Sequence, residues 1–347
     1  LAAGVGWAVW RHRSSDASTR PSAPAATPVK SDAAWAGWRE FRVAQRAFED
    51  AARSQCSFYL QPVDSLPLPP FKPGQFLTFA LDVTPLTLDG STTARAITRC
   101  YSLSDRPEPA HYRVTIKRVP APPDHPEFAP GLSSNHFHDH VQVGDILRVK
   151  APAGHFFIDP DPNVPVVLIG GGIGITPVMS MLRWCIANQP QRPVHLYYGL
   201  RNSDEHAFKS TLEDMAASHP ALRLHIVYSR PLAADVPGRD YQHAGHVDVE
   251  LLRKTLPHGR HQFYVCGPPA MILTSGFASR SRPAHVLTLL SDAANTGKHA
   301  TSQSAIFSTA GNDDTHVILR GGSRPNYDTE SVNMAAEQME AAGLEPK

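Results

Sequence analysis

Six short stretches of this sequence hold residue types able to do chemistry together. GGGIGITP, from Gly170 to Pro177, places glycines where an apolar run gives way to a helical pattern. Glycines at 172 and 174 let the backbone approach a pyrophosphate, and a helix opening near Thr176 and Pro177 supplies unpaired N–H groups and a positive dipole end. The spacing is not the standard GxGxxG, so a turn that only packs a helix on a strand has the same appearance. Tyr198-Gly199-Leu200-Arg201 and Tyr228-Ser229-Arg230-Pro231 each follow an apolar run, at the carboxyl ends where parallel sheets bind ligands. Arg99-Cys100-Tyr101-Ser102 offers a guanidinium able to fork onto phosphate, an aromatic able to cover a flat ring and a hydroxyl able to bond a ring nitrogen. In GLSSNHFHDH, Gly131 to His140, a serine at a helix N-cap would leave a turn of free N–H groups for an anion. Of the three histidines there, only His136 and His140 share a helix face and no third ligand follows, so no metal site is expected. Cys266-Gly267-Pro268-Pro269 closes the run QFYV, and a lone cysteine in that place reads by itself as core.

The elements that must position these residues fall into two halves. From Phe41 the chain shows short β-type runs (FRVAQRAF, CSFYLQPV, GQFLTFAL, RCYSLS, YRVTIKRV, DILRVKAP) separated by Pro and Gly clusters, which predicts a small antiparallel barrel. Near Pro160 the pattern changes. VPVVLIGGG, HLYYG, LRLHIVYS and QFYVCG alternate with helical spacing in PVMSMLRWCIAN, FKSTLEDMAASH and VDVELLRKTL. That alternation predicts a doubly wound parallel sheet with right-handed crossovers, the α/β dinucleotide-binding architecture. The 347 residues suit two domains. With 33 basic against 32 acidic side chains, nothing would drive counterion release, and a nucleic-acid partner is excluded. The four cysteines, at 56, 100, 185 and 266, lack any ligand spacing, which excludes a self-contained zinc site or iron–sulfur cluster.

With its motifs in this order, the sequence resembles the ferredoxin–NADP reductase superfamily, in particular the flavohemoglobin-type reductase module, over residues 38–275. The resemblance implies a barrel that binds FAD and a second domain that binds NADPH or NADH. It implies that Arg99 pairs with the FAD diphosphate, Tyr101 packs on the flavin or its ribityl chain, and Ser102 bonds flavin N5. Gly131, Ser134 and Asn135 match the segment that caps the diphosphate. PFKPGQF and APAGHFF match barrel strands of the family. On the nucleotide side, Gly172, Gly174 and Pro177 belong to the pyrophosphate turn, and Thr176 would hold the nicotinamide carboxamide. Arg201, Ser229 and Arg230 would contact phosphates and the adenosine ribose. A Ser-Arg pair suits a 2′-phosphate and no acid stands beside it, which favours NADPH. Cys266 would lie beside nicotinamide C4, with Gly267 and Pro268 making room for the ring. Ser102 and Cys266 are thus the expected residues at the reacting atoms.

The ends differ from this pattern. LAAGVGWAVW followed by Arg11-His12-Arg13 looks like the cytoplasmic end of a membrane helix, although ten apolar residues are half of the about 20 a span needs. Residues 1–13 are therefore a possible truncated anchor at the cytoplasmic face of a membrane, the chain being otherwise cytoplasmic, and the Ser/Ala/Pro-rich stretch 14–37 a flexible linker. Residues 38–159 form the FAD barrel, 160–275 the nucleotide domain and 276–301 a divergent segment. Residues 302–347 resemble a fragment of DAHP synthase, in which Arg320 matches a phosphate-binding arginine. The strand-like AIFST and HVILR of that tail could alternatively pair at the open sheet edge. The implied activity is hydride transfer from NAD(P)H to flavin and onward electron delivery to ferredoxin, a haem protein, quinone or oxygen. The alternatives are an FAD-binding module without turnover, a defective fusion product, and a synthase fragment.

Overall fold

The computed structural model describes residues 6–11, 34–83, 95–121, 129–268 and 314–319. In chain order its elements are β1 (Gly6–Arg11), β2 (Arg39–Phe48), β3 (Gln55–Pro62), β4 (Phe76–Val83), β5 (Arg95–Ser102), β6 (Tyr112–Lys117), α1 (Leu132–Asp139) and β7 (Ile146–Ala153). There follow β8 (Val166–Gly171), α2 (Ile175–Asn188), β9 (Val194–Leu200), α3 (Lys209–Ser218), β10 (Leu222–Tyr228), β11 (His243–Ala244), α4 (Val249–Thr255), β12 (Gln262–Cys266) and β13 (Asp314–Leu319).

The first half is the expected antiparallel sheet, in the order β5-β4-β7-β2-β3-β6. A bridge between Leu103 and Val114, just past β5 and inside β6, brings its two outer strands together. Apolar residues alternate along β4 and β7, so one face of each points into a core of Phe41, Phe58, Leu77, Phe79, Val114 and Val149. Helix α1 closes one end of that core with Phe137, which meets Phe58, Phe79 and Tyr101 edge-on. Trp35, placed by its sequence in the linker, packs against Phe41 and Tyr112 instead. Its indole is one of the partly buried groups packed on that core, which ties Trp35 to the barrel.

The second half is the parallel sheet β11-β10-β9-β8-β12. β8 is buried along its whole length, with Val166 and Leu168 facing the core under α2 and α3, and Val167 and Ile169 the core under α4. That two-sided burial explains its uninterrupted apolar sequence. The two-residue edge strand β11 was not foreseen, being too short to show any periodicity.

Two expectations for the ends change. The apolar run expected as the end of a membrane helix contains strand β1, Gly6–Arg11. Among the described residues no helix is long and apolar enough to cross a membrane. The HVIL run pairs antiparallel with β1, Trp7 opposite Ile318, in a separate two-stranded sheet and not beside β12. Residues 14–33, the divergent segment 276–301 and Arg320 lie outside the described residues.

Candidate functional site

The cofactor-type residues gather at two places. At the first, β5 and α1 meet. Strand alternation puts Arg99 and Tyr101 on one face of β5, opposite Phe79 and Leu77 of β4, and Ser102 on the other. The Tyr101 hydroxyl is 2.7 Å from Ser133 Oγ at the start of α1, and burial pushes its pKa up to about 12, so it stays a neutral hydrogen-bonding group. The Arg99 Nη1 donates to the Thr98 carbonyl at 2.6 Å, while its buried Nε has no partner among the described residues.

Helix α1 differs from the sequence expectation in one respect: its N-cap is Gly131, which has no side chain with which to cap it. Ser134 lies inside the first turn and donates to the Gly131 carbonyl at 3.2 Å. The Asn135 amide donates to the carbonyls of Gly131 and Val119, and its oxygen accepts from Arg118. Both side chains therefore shape the turn, and what remains for an anion is the backbone of a first turn that holds no acidic residue. Gly131 is needed for space, since a β-carbon there would lie 2.7 Å from Ser134 Oγ and 2.8 Å from Val119 Cβ. His138 Nε2 donates to the Ile116 carbonyl at 2.9 Å, and among the described residues no cluster of His, Cys, Asp and Glu could hold a metal.

The second place is a cleft of about 280 Å³ at the carboxyl ends of the parallel strands. It is lined by Gly171 at the end of β8 and Gly172 after it, Arg201 after β9, Ser229 after β10, Gly245–Val247 after β11 and Pro268 after β12. Gly172 has φ +49° with open space beside it. Gly174 has none: a β-carbon would sit 2.1 Å from the Cys266 carbonyl oxygen, so this glycine is what lets the α2 turn lie on the end of β12. Thr176 is buried and its hydroxyl donates to Ile173 within the turn. Pro177 occupies the first turn of α2, where a missing N–H costs nothing. Gly267 is buried and Cys266 belongs to the core under α2, while Arg230 is exposed and outside the cleft lining.

Three titratable cleft residues carry no mark in the sequence motifs. Lys117 enters from the barrel, at the end of β6, and pairs with Glu205, which also holds Arg201 at 3.0 Å. An acid therefore does stand in this cleft, contrary to the expectation that none stood beside the cofactor's basic residues. The Arg201–Glu205 spacing of four residues was the available signal. His246 is the third, on a loop with no recognisable pattern.

These features accord with the comparisons. Residues 168–275 match the family model described as the oxidoreductase NAD-binding domain. The chain is 38% identical over 234 residues to the flavohemoprotein of Rhizobium meliloti (strain 1021) and 34% identical over 239 residues to that of Bacillus subtilis (strain 168). These alignments cover 67% and 68% of the chain and 55% of each relative, so the chain spans about half their length. Among solved structures it is similar to the flavohem-like FAD/NAD binding domain of nitric oxide dioxygenase from Vibrio cholerae O1 biovar El Tor. There the TM-score is 0.50 at 26% identity, covering 66% of this chain and 99% of that one. It is also similar to the Amycolatopsis cytochrome P450 reductase GcoB, with TM-score 0.53 at 26% identity over 69% of this chain and 64% of that one.

Proposed function

The chain belongs to the ferredoxin–NADP reductase superfamily as a flavohemoprotein-type reductase module, and we propose that it is an FAD-dependent NAD(P)H oxidoreductase that feeds a separate redox acceptor. The observation that carries this reading is the pairing of two anion-ready turns on the two domains. One is the glycine-capped start of α1, tied through Ser133 to Tyr101 of β5, the strand that carries Arg99, whose buried Nε has no partner among the described residues. The other is the glycine turn of β8–α2 opening on the strand-end cleft. Both fit the groups concerned: a diphosphate satisfies the unpaired donors of each turn, and the space kept at Gly172 admits it.

When bound, NAD(P)H supplies a hydride and FAD accepts it and releases electrons singly or in pairs. The residues of this chain hold and orient. Arg99 and the α1 backbone would bind the flavin diphosphate, Tyr101 would hold the ribityl side through its neutral hydroxyl, and Ser102 would offer its hydroxyl at the ring. Gly172, Ser229 and Arg201 would bind the dinucleotide, and Cys266 with Gly267 and Pro268 would shape the nicotinamide pocket. No essential acid or base is required, and rate comes from orientation. NADPH is favoured over NADH because Ser229 lines the cleft, Arg230 is exposed next to it, and the cleft's acid, Glu205, is committed to Lys117 and Arg201. The flavohemoprotein relatives and the P450 reductase neighbour are named for haem proteins or reductases that serve them, and a haem protein is the proposed acceptor for this chain.

The test is an anaerobic visible spectrum of the purified chain loaded with FAD, before and after NADPH. Bleaching of the flavin band supports the reading; a band that persists refutes the hydride step. In Arg99→Ala the flavin-to-protein absorbance ratio after gel filtration should fall at least about tenfold, the loss expected from removing a charge-assisted phosphate contact.

A further inference from the structure

Hydride transfer requires the nicotinamide half and the flavin half to meet in one fixed arrangement, and one buried acid stands between the two. We propose that Asp105 is a positioning residue, clamping the nucleotide-binding helix α2 to the end of the flavin-binding strand β5. This rests on the functional reading above.

Asp105 lies three residues beyond Ser102 and is only 4% exposed. Its Oδ1 accepts from Arg183 Nε at 2.7 Å and from the Arg106 N–H at 2.8 Å. Its Oδ2 is 3.6 Å from Arg113 Nη1. Its carbonyl oxygen accepts from Ser180 Oγ at 2.6 Å, and Ser180 is fully buried. Ser180 and Arg183 stand three residues apart on α2, so they share a face of the helix that begins at the glycine turn. Arg113, on β6, completes the joint from the barrel side. Its Nε and Nη2 donate to the side chain and carbonyl of Ser104 at 3.1 and 2.5 Å. Its guanidinium also lies 5.0 Å from the ring of Phe208 in the second domain. A carboxylate is expensive to bury without such partners, and here each oxygen has one.

Asp105 is not what keeps the domains together. A second set of contacts does that elsewhere, around the turn before α3. Phe208 N–H donates to the Glu49 carbonyl, Ala52 N–H to that of Asp204, the Gln55 amide to that of Glu205, and Lys117 pairs with the Glu205 side chain. Loss of the Asp105 joint therefore leaves the domains associated but lets α2 shift against β5. A shift of about 1 Å at reacting atoms slows a step on the order of 100-fold.

The experiment compares the full chain with Ser180→Ala, Asp105→Asn and Arg183→Lys, using two readouts. Amide hydrogen exchange on the chain without added nucleotide should show faster exchange of the α2 amides, residues 175–188, while strands β2, β3 and β7 stay protected. Stopped-flow flavin reduction should be slower by about 10- to 100-fold in Asp105→Asn. Its FAD content and its dissociation constant for NADP⁺ should stay within about twofold. Arg183→Lys, which keeps the charge, should fall between. Reduction at the original rate despite faster α2 exchange would overturn the positioning role, and so would loss of NADP⁺ binding in parallel with the rate. If Asp105→Asn fails to fold, Ser180→Ala carries the comparison, since it removes one hydroxyl and no charge. If the wild-type flavin is not bleached, the functional reading fails; unchanged α2 exchange in the variants would separately refute the clamp.

Discussion

Gly172 and Gly174 stand two residues apart in one turn and carry different burdens. At Gly174 an added methyl would run into the Cys266 carbonyl at 2.1 Å, a backbone atom that cannot turn aside. Gly174→Ala should therefore cost about 1–3 kcal/mol by overpacking and shift α2 off β12. Urea unfolding of the variant should show that loss, and calorimetric titration should show NADP⁺ binding abolished. At Gly172 the neighbourhood is open and only the left-handed φ resists a side chain. Gly172→Ala should cost about 1–2 kcal/mol for its backbone conformation while retaining measurable nucleotide binding. The sequence motif shows two similar glycines; the separation of their roles comes from Cys266 at the end of β12, far along the chain, which the fold brings against one of them.

Four strands or strand ends of the parallel sheet place histidines side by side: His195 on β9, His225 on β10, His243 on β11 and His261 just before β12. The His195 and His225 rings stack at 6.1 Å, His225 and His243 at 5.6 Å, and Tyr197 lies 4.3 Å from His225. His225 Nδ1 and His243 Nε2 are 3.3 Å apart, which requires at least one of the two rings to be neutral. Burial first, then the neighbouring histidines and Arg223, push His195 and His225 down to about 4; burial alone lowers His243. These rings are neutral in the fold and take up protons near 6.5 when unfolded. The stability they allow is present in full above pH 6.5 and is lost progressively as pH falls toward 4. Urea midpoints should drop between pH 7.5 and pH 5, and the drop should be smaller in His225→Phe. A midpoint independent of pH in that window would show that the column does not govern acid stability. Nothing in the sequence marks these four histidines as a row, because the strands that align them are joined through intervening helices and loops.

Across the whole molecule, the barrel reaches into the other domain's cleft through Lys117, and Glu205 holds it there together with Arg201. One carboxylate is thus shared between two of the cleft's cations and offsets half of their charge. In Glu205→Gln, 2′,5′-ADP should bind several-fold tighter at low salt, with a steeper fall in affinity as salt rises, because two uncompensated cations face the cleft. Titration calorimetry at two ionic strengths measures both effects; equal salt slopes in the two proteins would place the ligand away from this ion pair.

What the sequence determined by itself is local and periodic. Alternation along β4 and β7, the unbroken apolar run of β8, the glycine turn before α2 and the order of the motifs specify a barrel followed by a parallel sheet. They also specify which strand ends bear ligand-type residues, because side-chain period and turn chemistry are properties of adjacent residues. Tertiary structure decided the rest. It turned Ser134 and Asn135 inward to shape the α1 turn, drew Trp35 onto the barrel, brought Glu205 and Lys117 into one cleft, and joined Asp105 to Ser180 and Arg183. Each of the last two joins residues at least 75 positions apart. Nothing local distinguishes such a residue from an ordinary surface charge; its partner is chosen only when both domains have packed and the buried charge must find an opposite one.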